Sequence, residues 1–168
     1  MKINISGLMN LIAEEERKFN NLSTLLTTNI YSTTIQELNG TVNVIDDYKD
    51  EFVNSLEEYS KIMKRISKLK ATLYEKNNSF KLSDGRTIQS AIIDNANLRK
   101  MKNTYDMMCS FRNVKRRITE VNNSYFECKT VNFDIDKIKK ELREIEQKIQ
   151  ETDFEISKLN SIEFEIDI

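Results

Sequence analysis

Several groups of side chains in this sequence have types and spacings that could do chemistry. Asp84-Gly85-Arg86-Thr87 sets a guanidinium beside the expected start of a helix. Free amides at a helix N-terminus and a planar arginine fork together make an anion site. The same four residues also read as a helix-entry turn, with Asp84 or Thr87 capping the helix and Arg86 pairing with a neighbouring acid; this is the expected reading. Arg112, Lys115, Arg116 and Arg117 form a dense basic patch, with Arg99, Lys100 and Lys102 earlier on the same expected helix and Tyr105 and Phe111 nearby. Such a patch can track a phosphate backbone while an aromatic ring stacks on a base. Near a helix C-terminus it more simply complements the helix dipole and meets acids such as Glu141, Glu144 and Glu146.

Glu14, Glu15 and Glu16 suggest a carboxylate metal site, but the chain has no histidine. Di-metal helical bundles combine glutamates with Glu-x-x-His pairs, and consecutive residues point to different faces of a helix. A solvated face is expected instead. Cys109 and Cys128 are too few for a disulfide framework and, without histidine, too few to hold zinc. They read as small apolar residues in a reducing compartment. The missing imidazole also removes the usual general base and the Ser-His and Cys-His pairs. No catalytic residue, metal ligand or cofactor is therefore expected.

These side chains must be positioned by helices. At residues 131–159, Ile135, Ile138, Leu142, Ile145, Ile149, Thr152, Ile156 and Leu159 recur three and four apart, a heptad seam that needs another apolar stripe in its own chain or a second copy. With no proline and three glycines, helices can run long. A first helix is expected at about 6–27, with Ser6 as N-cap and Leu8, Ile12, Phe19, Leu22 and Leu26 on one face. A second is expected at about 47–77, capped by Asp46 or Asp47, with Phe52, Leu56, Tyr59, Met63, Ile66 and Leu73 as its seam. Lys70 shares that register, either setting alignment or lying at the seam's edge. The third helix is expected at about 87–120, with Ile88, Ala91, Leu98, Met101, Tyr105 and Met108 inward, and the fourth at about 134–160, capped by Asp134 or Asp136. Asn122-Asn123-Ser124 breaks the pattern between them.

β-Branched segments at 30–36 and 41–45 flank Asn39-Gly40, the strongest short-range hairpin signal; an irregular interhelical loop is the alternative. Residues 125–130 read as a short strand or an extended crossing segment. Alternating Ile162, Phe164, Ile166 and Ile168 predict a terminal strand at about 162–167, pairing with that hairpin or with residues 125–130; a frayed terminus is the alternative. The expected class is mainly α: a single domain over residues 1–168, an antiparallel long-helix bundle or coiled coil with a small hairpin or short strands at one end.

Two blocks carry a resemblance. One is Tyr74-Glu75-Lys76-Asn77-Asn78 followed by residues 82–88 and Ala91; the other is residues 131–154, including Lys140-Glu141-Leu142-Arg143-Glu144-Ile145. They resemble the septicolysin-like family of small bacterial helical proteins. The resemblance covers about half the chain and implies a helical, oligomeric body without an assigned activity. Where that family tends to carry an Arg-Asp pair after the turn, this chain has Asn95 and Ala96, and Phe154 stands where a tryptophan is common.

Formal charge is -1, from 26 basic and 27 acidic residues, so no overall field draws the chain to nucleic acid or an anionic membrane. Its apolar runs fall far short of the ~20 residues a membrane helix needs. Glu14 to Glu16 stand where a signal peptide would place a cleavage site, so a cytoplasmic protein is expected. The function expected is non-enzymatic: a homo-oligomer, dimeric or a higher closed ring, held by the seam at Ile135, Ile138, Leu142, Ile145, Ile149, Ile156 and Leu159. A nucleic-acid module built on the basic third helix is the alternative, and a membrane-active toxin a more remote one.

Overall fold

Apolar residues three and four apart do build long helices, and β-branched segments do interrupt them. The computed structural model describes residues 1–121 and 123–167; Asn122 in the expected break and Ile168 at the end of the alternating tail lie outside the described residues. In chain order the elements are β1 (Lys2–Asn4), α1 (Ile5–Thr28), β2 (Thr33–Gln36), β3 (Val42–Asp46), α2 (Lys49–Ser79), α3 (Ile88–Ser110), β4 (Val114–Thr119), β5 (Ser124–Lys129), α4 (Ile135–Asn160) and β6 (Glu163–Glu165). The protein is mainly helical with short antiparallel strand pairs.

The described chain forms two compact units, Met1–Asn77 with Asn160–Ile168, and Asn78–Leu159. Each contains a helix, an antiparallel hairpin and a second helix. In the first unit α1 and α2 run antiparallel: Leu8 shares a core with Leu69, while further along α1 the Phe19 ring stacks on Tyr59, centroids 4.3 Å apart. Ile12 and Ile166 complete that core, with Leu11, Leu73 and Phe164 against it. In the second unit Arg99 of α3 bonds Asp153 of α4, and Lys102 reaches Glu146 at 3.2 Å, so α3 and α4 are also antiparallel.

The α1 seam follows the expected line, and the α2 seam departs from it at Leu56 and Met63. On α1 the covered positions are Ile5, Leu8, Ile12, Glu15, Phe19, Leu22 and Leu26, a three-four alternation that passes through an acid. On α2 the line runs through Phe52, Ser55, Tyr59, Ile62, Ile66 and Leu69, leaving Leu56 and Met63 exposed. Two adjacent apolar stripes compete on α2, and small Ser55 with Ile62 and Leu69 lets the helices approach where Leu56 and Met63 do not. On α3, Asn95 is buried and Lys102 half-buried, whereas Met101 is exposed.

Caps and ends differ in detail. Asn4, not Ser6, caps α1, its side chain accepting from Gly7 N at 2.8 Å. The chain turns there because β1 ends at Asn4, and a Cβ on Gly7 would meet Ile3 Cγ1 at 2.9 Å. Asp47 accepts from Lys49 N, and Asp134 from Asp136 N and Lys137 N, which places each just ahead of its helix. The third helix ends at Ser110 instead of continuing to about 120. Val114, Ile118 and Thr119 are β-branched and pair with β5, and Asn113 accepts from Val131 N to close the hairpin base. The terminal strand β6 pairs with β1 (Ile3 opposite Phe164), not with a hairpin or residues 125–130, and this places Ile166 in the first unit's core.

The Asn-Gly signal is correct in place, though not in turn type. Of the pair, Gly40 and not Asn39 takes positive φ, at 87°, with Gly40 N donating to Glu37 O and Glu37 N to Thr41 O. That is a three-residue loop, a tight turn followed by a left-handed glycine.

Candidate functional site

In the second unit, Gly85 has φ 86°, which reverses the chain so that Leu82 N donates to Arg86 O at 2.8 Å and Lys81 bridges to Thr87. Thr87 caps α3, its hydroxyl accepting from Ser90 N at 3.1 Å. Arg86 is fully engaged. Its Nε donates to Asp84 Oδ2 at 2.7 Å, Nη1 to Asp94 Oδ2 at 2.9 Å, and Nη2 to Thr152 Oγ1 at 3.4 Å. Hydrogen bonds to Asp94 and then Asp84 raise the guanidinium's pKa. The Arg86 backbone N–H, then its side chain, hold Asp84 below its usual range. Glu155 of α4 accepts from Ser83 Oγ at 2.6 Å and Ser83 N at 2.8 Å, and the hydroxyl first and the amide second lower its pKa.

This network ties the turn to α3 and α4. It lines a hollow of ≈ 350 Å³ bounded by Ser83, Asp84, Arg86, Lys148, Thr152 and Glu155. Three carboxylates within or beside the cluster repel an anion, and the guanidinium that would hold one is already shared between Asp84 and Asp94. The sequence singles out Asp84, Gly85, Arg86 and Thr87; it does not single out their partners Ser83, Asp94, Thr152 and Glu155, because pairing across helices leaves no local spacing to read.

Of the last helix's seam, Ile145 and Ile149 are buried, as is Thr152, and Ile135, Ile138, Leu142, Ile156 and Leu159 are half-buried. Asn95 lies against this helix, its Nδ2 donating to Asp153 Oδ1 at 2.9 Å and to Ile149 O at 3.4 Å, while its Oδ1 is buried without a partner. In the first unit Glu15 is 2% exposed and pairs with Lys18 at 3.0 Å and Arg65 at 3.7 Å. It is therefore not part of a solvated glutamate face. Its place midway between Ile12 and Phe19 was a sequence signal that the triple glutamate obscured. Lys70 lies at the seam's edge, paired with Glu16 at 2.6 Å.

The basic patch does not lie on a helix. Lys115, Arg116 and Arg117 are on β4 and Arg112 is in the connection before it. Alternation along the strand sends Arg116 to one face, opposite Glu127, and Lys115 and Arg117 to the other. Lys115 Nζ sits 4.5 Å from the Phe126 ring centroid. Both hairpins stand in solvent: residues 30–47 are all exposed, as are the described residues of 111–130 apart from half-buried Ile118. Cys109 and Cys128 are unpaired. Among the described residues no group of three or more Cys, Asp or Glu is placed to hold a metal ion, and no helix is long and apolar enough to cross a membrane.

No curated protein matches this chain. Its fold is similar to that of a functionally unknown conserved protein from Corynebacterium diphtheriae, known from a crystal structure. The TM-score is 0.62 at 18% identity, over 98% of this chain and 100% of that one. A family model described as a family of unknown function, DUF6847, matches residues 13–157, and with most of its length so matched the chain belongs to that family.

Proposed function

We propose that this chain is a non-enzymatic helical interaction protein whose copies self-associate, as a dimer or a larger closed assembly. The observation that carries the reading is the apolar surface the hairpins leave in water: Ile35, Val42 and Val44 on one, Val114, Tyr125 and Phe126 on the other, each at least 46% exposed. A two-stranded hairpin is marginally stable by itself, so a partner surface stabilises it. The α4 seam is less suited to the contact, since its central residues are already buried. The oligomeric body implied by the septicolysin-like resemblance agrees with this reading, without any toxin activity. A reducing, cytoplasmic setting suits the two unpaired cysteines.

Sedimentation velocity over a rising concentration series tests it: a dimer or larger species is expected, and a monomer at the highest concentration overturns the reading. Nucleic-acid binding is the second reading, favoured by Lys115, Arg116 and Arg117 beside exposed Tyr125 and Phe126. It ranks lower because Lys115 already covers the Phe126 ring that a base would need.

A further inference from the structure

The two hairpins carry opposite charge. Residues 29–47 hold three acids, Glu37, Asp46 and Asp47, and no base; residues 111–130 hold five bases against two acids. The whole chain is nearly neutral, at -1, so this separation is local and not a by-product of composition. Each charged set borders apolar side chains. On the first hairpin Val42 and Val44 share a face, opposite Gln36 and Thr34, with Glu37 at the loop and Asp46 at the base. On the second, Val114, Ile118 and Tyr125 share a face with Arg116. Apolar ridges with complementary charged rims are what a specific interface needs: burial supplies affinity, while opposite rims set orientation and reject like surfaces.

We infer that the acidic hairpin, β2–β3, docks on the basic hairpin, β4–β5, of a second copy of this chain. The inference rests on the self-association proposed above and names its surfaces. Because the two surfaces differ, the contact is heterologous. Two copies close it by making it twice, and a geometry that does not close would extend it into a ring or a filament. Like hairpins repel each other, which disfavours pairing of two acidic or two basic tips.

The test uses the full-length protein and two charge-reversed variants. One carries Arg116→Glu and Arg117→Glu, the other Glu37→Lys and Asp46→Lys; Asp47 is left intact because its carboxylate accepts from Lys49 N at the start of α2. Each variant alone should associate about tenfold or more weakly than wild type, with far-UV circular dichroism reporting the same helicity. An equimolar mixture should associate again, since the acidic hairpins of the first variant face the basic hairpins of the second. Wild-type association should also weaken as salt rises from about 50 to about 500 mM, a readout that needs no substitution.

If wild type and both variants associate equally, the hairpin docking is overturned while self-association stands. If wild type is monomeric throughout, both are overturned. Single-stranded DNA or RNA that binds wild type and competes with its association through Arg116 and Arg117 would also overturn the inference, by giving the basic hairpin a different occupant.

Discussion

Residues 5–79 and residues 88–160 both run helix, hairpin, helix, yet they admit different polar residues to their helix–helix seams. Beside a small hydroxyl in each, Ser55 in the first unit and Thr152 in the second, the first unit buries Glu15, a carboxylate balanced by Lys18 three residues on and Arg65 across the seam. The second unit buries Asn95, a neutral amide that donates to Asp153 and Ile149 O and leaves its own Oδ1 unpaired. A polar residue at one seam position sets alignment at a cost in stability. The charged version needs cations on two sides; the amide needs only acceptors. The same architecture is reached without a repeated sequence, because heptad spacing, not residue identity, defines a helix pair.

The largest effects should come from the apolar seam inside each unit. Leu69→Ala and Ile149→Ala should each cost about 2–5 kcal/mol in urea denaturation. A loss well below that range in one alone would mean its unit is not held by the seam. The next experiment separates the two polar solutions. Arg65→Ala leaves the buried Glu15 with Lys18 alone and should cost about 1–3 kcal/mol. Asn95→Leu removes donor and orphaned oxygen together and should stay within about 1 kcal/mol of wild type. Equal losses would erase the distinction between an ionic and an amide seam.

Turns sharpen the comparison further. Gly85 and Gly40 both have positive φ, 86° and 87°. Gly85→Ala should lower thermal stability by about 1–2 kcal/mol, because that turn is tied to two helices. Gly40→Ala, in an exposed hairpin, should leave the melting curve nearly unchanged and weaken association instead.

The smallest effect concerns pH. Asp84 and Glu155 have depressed pKa values, so their contribution is present above the ordinary values of 3.8 and 4.5 and is lost as pH falls through the lowered ones. Glu155→Gln should therefore flatten the acid limb of the stability curve while leaving neutral pH little changed. A limb as steep as wild type's would mean that the Ser83–Glu155 contact does not contribute.

Much of the candidate surface was legible in the residues, though not its setting. Lys115, Arg116 and Arg117 stand out as a basic cluster, but a helix ending at Ser110 and a strand beginning at Val114 reassign them to a ribbon. Helical and strand preference are closely matched in a segment that mixes Arg and Lys with Val, Ile and Thr, and pairing with β5 tips the balance. Glu15 was hidden for a similar reason: three consecutive acids look solvated, and only the line through Ile12 and Phe19 places one of them inside.

From the sequence alone follow four long helices, a turn signal at Asn39-Gly40, an alternating tail and the lack of an imidazole, because periodicity and turn chemistry act between near neighbours. Tertiary structure alone decided which of two adjacent stripes on α2 is the seam, that β6 joins β1, and which side chains hold Arg86. Those choices compare alternatives that are locally almost equal, and they are settled by partners far away in the chain.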